Sequence, residues 1–241
     1  MSKLNGKVIL VTGGAQGLGK EVCRTLAASG AQVIIGDIQE EKGSEAVSEI
    51  KGSGGSAVFR KLDLTDEHSV EEVFTSIKNE YGRIDGVINN AGIDFTKPLL
   101  ELTVSEWDAA MAVNLRGPFL TSKYALSVMS EQKNGYIVNI ISTAALRAWT
   151  EASVYHASKW GLRGFSQALF TEARRFNIKV TALIAGGMRT PFLLDRFPDL
   201  DLSKLQDPAN VAEKVKYLLE DDTDTVIPEI MVIPQQETSW P

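Results

Sequence analysis

Cysteine, histidine and long apolar runs are scarce in this chain, and each scarcity closes off a class of protein. Cys23 is the only cysteine in 241 residues, so no intrachain disulfide can form and no cysteine cluster can hold a metal. The two histidines, His68 and His156, stand far apart and suggest no zinc site, so no metal is expected. Apolar stretches fall short of the ~18 residues that a membrane-spanning helix needs. The start, MSKLNGKVILVTG, lacks the apolar core and small-residue cleavage site of a secretory signal. A cytoplasmic protein with no membrane partner is the simplest expectation. Basic residues are outnumbered, 25 Lys and Arg against 31 Asp and Glu, and a net charge of −6 offers no general attraction to nucleic acid.

What is present is a 44% hydrophobic chain, long enough to bury a full core and expected to form one domain over residues 1–241. Short apolar runs alternate with longer amphipathic stretches, the pattern of βαβ units and a parallel sheet. Seven strands are expected: KVILVT from Lys7, QVIIGD from Gln32, AVFRKLD from Ala57, GVINN from Gly86, YIVNIIS from Tyr136, KVTALIA from Lys179 and IMVIP from Ile230. Helices are expected over Leu18–Ser29, Glu40–Lys51, Asp66–Tyr81, Val104–Glu131, Val154–Phe176 and Pro208–Leu219. Thr65 and Asp207 read as N-caps, the latter followed by proline at the first helical position. Residues 191–206 mix Phe192, Leu193, Leu194, Phe197 and Leu200 with acids and show no long period. That segment reads equally as a substrate flap and as a packed connection.

The run TGGAQGLG, Thr12 to Gly19, follows a strand and opens a helix, the context in which backbone amides cradle a pyrophosphate. Gly13, Gly17 and Gly19 give G-x-x-x-G-x-G, which also suits an ordinary tight turn. Asp37 ends the second strand, where a carboxylate accepts the ribose hydroxyls of an adenosine and repels a 2′-phosphate. Gln16 supplies no basic group for such a phosphate, which favours NAD over NADP, whereas Lys42 lies close enough in sequence to swing toward one. Asp37 also suits a helix N-cap. Asp63 closes the third strand and is placed to meet the adenine amino group, and Asn89, Asn90, Ala91 and Gly92 close the fourth, although all are ordinary turn residues. Leu18, Ile38 and Leu64 adjoin these positions and belong to the same expected nucleotide site.

Tyr155 and Lys159, four residues apart in YHASK, share a face if that segment is helical. A nearby ammonium favours phenolate and draws the Tyr155 pKa from ~10 toward neutrality. Such pairs also occur by chance on surface helices. Ser142, thirteen residues before Tyr155 at the end of an apolar strand, places a third polar group at the sheet edge where ligands bind.

TGGAQGLG, NNAG, Asn114, Ser142, YHASK and AGGMRT occur in the order and spacing of the short-chain dehydrogenase/reductase family, and the chain resembles its short single-domain branch along nearly its whole length. The resemblance implies a Rossmann-type, doubly wound parallel sheet with helices on both faces. It also implies hydride transfer between NAD or NADP and a carbonyl or secondary alcohol carbon, as in polyol, alcohol or 3-oxoacyl substrates. By the same resemblance Tyr155 is the general acid and base, and Ser142 binds the substrate oxygen. Lys159 lowers the Tyr155 pKa and holds the nicotinamide ribose, Asn114 holds a water linked to Lys159, and Met188 and Thr190 meet the carboxamide. Asn114 also suits a satisfied core amide. Ala185 stands where the family usually has proline, which implies a less rigid nicotinamide loop. The family implies a homo-oligomer, a tetramer or dimer, but the C-terminus, with Trp240, lacks the usual Asp-Gly-Gly ending. Specificity is expected from residues 94–98, residues 143–152 and the flap, with Leu146, Trp149, Phe192 and Leu193 as an apolar wall and Arg147 facing an acid. A catalytically inactive nucleotide-sensing or interaction protein on the same fold is the alternative.

Overall fold

A computed structural model of the protein describes residues 2–237, and Trp240 lies outside the described residues. The seven expected strands form one parallel sheet: β1 (Val8–Thr12), β2 (Gln32–Asp37), β3 (Ser56–Lys61), β4 (Gly86–Asn89), β5 (Gly135–Ser142), β6 (Ile178–Ala185) and β7 (Glu229–Val232), in the order β3-β2-β1-β4-β5-β6-β7. Successive residues of β1 point to opposite faces, and both faces are covered, which explains why the central strands read as unbroken apolar runs. Ile9 and Val11 pack with α1 (Gly17–Ala28), α2 (Glu40–Gly52) and α8 (Pro208–Glu220). Val8 and Leu10 pack with α3 (Glu67–Tyr81), α5 (Gly117–Gln132) and α6 (Ser153–Ala173). Among the described residues no helix is long and apolar enough to cross a membrane, and no group of His, Cys, Asp and Glu could hold a metal.

Two local readings are corrected. The helix expected over Val104–Glu131 is broken: α4 (Val104–Met111) passes through a π-helical turn, Ala112–Arg116, before α5 begins. Pro118 is the reason legible in the sequence, because it has no N–H to close an α-turn onto the Asn114 carbonyl. Thr65 is not the N-cap of α3. Asp66 is, accepting from His68 N, while Thr65 donates through N and Oγ1 to Asp63 Oδ1 at 2.8 and 2.7 Å. Asp207 does cap α8. Residues 191–206 hold a short helix, α7 (Pro191–Leu194), and an isolated bridge from Gln206 to Met188.

A buried polar ladder crosses the sheet beneath α5 and α6. Asn89 Nδ2 donates to Asn139 Oδ1 at 2.8 Å, Asn139 Nδ2 donates to Ser166 Oγ at 2.8 Å, and Thr121 Oγ1 donates to Asn89 Oδ1 at 2.6 Å. These bonds tie two neighbouring strands, β4 and β5, to the helix that carries Tyr155 and Lys159.

Candidate active site

The sheet order changes direction of winding at β1, with β2 on one side and β4 on the other, and a crevice opens beyond the C-terminal ends of these strands. The turn after β1 fills the base of it. Gly13 has φ +63°, and a Cβ there would meet Ala91 Cα at 2.8 Å, so the residue is glycine for both backbone and space. A Cβ on Gly19 would meet the Gly13 carbonyl oxygen at 2.0 Å. Thr12 Oγ1 accepts from the Asn90 and Ala91 amides, both at 3.1 Å, and Asn90 Nδ2 donates to the Thr12 and Gly13 carbonyls. Asn90 therefore braces the glycine turn, a task that strand-end composition did not reveal. The N-terminus of α1 carries no side-chain cap, because Gln16 turns away and accepts from Lys42 Nζ at 2.7 Å. Uncapped N–H groups at a helix start suit a pyrophosphate.

Asp37 is buried at the end of β2, where its two oxygens accept from Ala15 N at 3.1 Å and Gln39 N at 3.0 Å. Each carboxylate oxygen keeps a further lone pair for a ribose hydroxyl. The carboxylate thus anchors the approach to α2 without being its N-cap, which is Gln39, and also lines the crevice.

At the other end stand the polar groups of β5 and α6. One helical turn does set Lys159 beside Tyr155: its Nζ lies 5.7 Å from the phenol ring centroid and donates to the Ile140 carbonyl at 3.1 Å. Ser142 Oγ accepts from Ala144 N at 3.2 Å. The expectation that Lys159 draws the phenol toward neutrality is not met. Burial dominates and pushes Tyr155 up to about 12, against a hydrogen bond from Ser142 that favours the ionised form. Burial also brings Lys159 down to about 8, and its ammonium lies over the ring face rather than at the hydroxyl. Asn114 is fully enclosed by its own bonds: Oδ1 accepts from Ile93 N at 2.8 Å, and Nδ2 donates to the Ile93 carbonyl and to Ser158 Oγ. Its side chain is satisfied, as a core amide would be, and fastens the loop after NNAG to α6.

One cavity of about 940 Å³ joins the two ends. It is lined by Gly13, Gln16, Gly17, Leu18, Asp37, Ile38, Asp63 and Leu64 at the nucleotide end, by Asn90, Ala91 and Gly92 in the middle, and by Ser142, Tyr155, Lys159, Met188 and Thr190 beyond. Gly19 and Asn114 stand behind this wall rather than in it. Trp149, Phe192 and Leu193 line the far end as expected, together with Phe197, Leu200 and Leu205 from the irregular segment, while Leu146 packs instead on the core around Ile141. His156 was not singled out by the sequence except as a poor metal ligand. Its Nε2 accepts from Trp149 N at 3.1 Å and its Nδ1 meets the Ala144 carbonyl at 2.8 Å, so the neutral ring with its proton on Nδ1 clasps the loop that carries Trp149. The loop after β6, expected to suffer from Ala185, is fastened by Gly186 N to the Val232 carbonyl and Gly187 N to Glu237 Oε2, at 2.9 and 3.1 Å.

A crevice at the winding reversal of a parallel sheet, with an uncapped glycine-rich helix start and an acid at the next strand end, defines a dinucleotide-binding protein. The model of the short chain dehydrogenase family matches residues 7–201, and the chain belongs to the short-chain dehydrogenase/reductase family. The chain is 36% identical over 237 residues to a cyclopentanol dehydrogenase of Comamonas testosteroni, covering 94% of each. It is 33% identical to a 3-oxoacyl-acyl-carrier-protein reductase of Thermotoga maritima, covering 96% of this chain and 97% of that one. Among solved structures it resembles a metagenomic short-chain oxidoreductase in complex with NADP, with a TM-score of 0.86 and 31% identity over 97% of this chain and 100% of the other. The protein is thus an NAD(P)-dependent oxidoreductase acting on alcohols or the corresponding carbonyl compounds.

Proposed function

We propose that the protein interconverts an alicyclic secondary alcohol and its ketone, with NAD preferred and Tyr155 as the proton-transferring group. The observation that carries this is one continuous cavity with Asp37 and the glycine turn at one end and Ser142, Tyr155 and Lys159 at the other. The cofactor supplies the hydride acceptor and, when oxidised, one more positive charge near the phenol. In oxidation the hydroxyl proton would pass to Tyr155 in its phenolate form, which the added positive charge of the oxidised cofactor would favour. In reduction Tyr155 returns a proton to the carbonyl oxygen, and a phenol held up to about 12 is protonated at neutral pH, as that step requires. Ser142 would orient the substrate oxygen, and Lys159 would hold the nicotinamide ribose. Asn114 acts through its neighbours by fixing the loop against α6. Met188 and Thr190, which line the cavity, would hold the carboxamide.

The preference for NAD rests on Asp37, whose charge opposes a 2′-phosphate, and on the engagement of Lys42 by Gln16. An apolar wall of Trp149, Phe192 and Leu193 supports a compact hydrocarbon ring as substrate. Exposed Trp107, Phe119 and Trp160 on α4, α5 and α6 support assembly into a homo-oligomer. The test is Tyr155→Phe assayed against cyclic alcohols and ketones with NAD and NADP in parallel. Turnover should fall about 10²–10⁴-fold while cofactor binding holds, and unchanged turnover would refute the assignment.

A further inference from the structure

Asp94, two residues beyond the NNAG turn, is anomalous. Its side chain is only 8% exposed, it lines the cavity alongside Ser142 and Tyr155, and its Oδ1 is the one buried side-chain oxygen or nitrogen among the described residues with no hydrogen-bond partner. Its Oδ2 is fully engaged, pairing with Arg196 Nη1 and accepting from Thr96 Oγ1 at 3.3 Å. Arg196 is itself held in place: its guanidinium stacks 4.2 Å from the Phe192 ring and donates to the Phe192 carbonyl. The Phe192 ring in turn lies 5.9 Å from the Tyr155 ring. An ion pair therefore sits one aromatic ring away from the Tyr155 phenol, with one carboxylate oxygen buried and without a partner.

A buried acceptor without a donor carries a desolvation cost that a ligand N–H or O–H can remove. The charge around it narrows which donor. Arg196 already neutralises Asp94, and Lys159 adds a second cation nearby, so an ammonium group would meet two like charges. A carboxylate ligand would have to take Arg196 away and leave Asp94 buried and unpaired, an arrangement strongly disfavoured. A neutral hydroxyl fits.

We propose that Asp94, with Arg196 as its counter-charge, forms a hydroxyl-binding subsite, so that the alcohol oxidised at Tyr155 carries a second hydroxyl that donates to Asp94 Oδ1. This rests on the proton-transfer role of Tyr155 given above and narrows its substrate to diols or hydroxyketones. A hydrogen bond to a charged group that is available to one substrate and missing in its deoxy analogue gives roughly tenfold or greater discrimination.

The experiment compares cyclohexanol with cyclohexane-1,2-, 1,3- and 1,4-diol, and with the monomethyl ether of the best diol, using NAD and the intact protein. At least one diol should exceed cyclohexanol in kcat/KM by about tenfold, after allowance for its duplicate reactive hydroxyl. The ether, which cannot donate, should lose that advantage. In Asp94→Ala the diol-to-cyclohexanol ratio should collapse toward one, whatever the absolute rates. If that variant fails to fold, Asp94→Asn, which keeps the shape without the charge, should lower the ratio severalfold, and the wild-type comparison of diol with ether stands without any variant. Equal handling of diols and cyclohexanol, an ether as good as the diol, or a preference that survives Asp94→Ala would each overturn the subsite alone. Failure to oxidise any of these alcohols would overturn the proposed function, and the subsite with it.

Discussion

Replacing Lys159 with methionine should abolish turnover and, at neutral pH, make the protein more stable. Lys159 is 4% exposed, and burial lowers its pKa from 10.5 to about 8. A displacement of that size corresponds to about 3 kcal/mol of penalty on the folded state while both states are charged. Methionine fills a similar volume without charge, but it forfeits the bond to the Ile140 carbonyl and leaves that oxygen wanting a donor. The net gain should be about 1–2 kcal/mol, which raises a urea midpoint by about half a molar for a chain of this size. The pH dependence supplies a sharper check. Below pH 8 the folded and unfolded states both carry the ammonium and wild type bears the whole penalty. Between pH 8 and 10.5 the folded state has lost a proton that the unfolded state keeps, so wild-type stability rises by about 3 kcal/mol and the advantage of the variant shrinks, passes through zero and reverses by about 1–2 kcal/mol. Tyr155 titrates higher, toward about 12, and its contribution is common to both proteins. Urea titrations at fixed protein concentration across pH 7–10.5 measure the difference. A variant less stable than wild type at pH 7, or an advantage indifferent to pH, would refute the reasoning that this ammonium is held at the expense of the fold.

Removing the Asp37 carboxylate, as in Asp37→Ala, should lower the NAD-to-NADP ratio of kcat/KM by about tenfold or more, since a 2′-phosphate no longer meets a fixed negative charge. Parallel kinetics with the two cofactors check it. Gly13→Ala forces a side chain into positive φ and against Ala91, at about 1–3 kcal/mol of strain. Titration of the quenching of tryptophan fluorescence should show cofactor affinity at least tenfold weaker. Asn139→Ala strips partners from Asn89 and Ser166 and should cost about 1–3 kcal/mol in chemical denaturation. His156→Phe removes the acceptor that holds Trp149 N, so the KM for the alcohol should rise severalfold while the dissociation constant of the cofactor stays put.

The sheet was legible because parallel strands buried on both faces must be apolar along their length, and the glycine turn because only glycine tolerates φ +63° at Gly13 with Ala91 pressed against it. Tyr155, Lys159 and Ser142 were legible for a local reason: one helical turn and one strand end fix where those side chains point. Asn114 was visible as an oddity in an apolar helix, but its function there was not, since the π-turn and the Ile93 and Ser158 contacts arise only when α4, α5 and α6 meet.

Local periodicity and turn chemistry thus determined the seven strands, the position of the nucleotide crevice and the residues at its rim, because these depend on neighbours a few positions away. Only the tertiary structure decided the electrostatics. Burial, which the sequence does not state, outweighed the nearness of Lys159 and sent the Tyr155 pKa up rather than down. The Asp94–Arg196 pair joins residues 102 positions apart, and no local pattern could show that one carboxylate oxygen would be left buried without a partner.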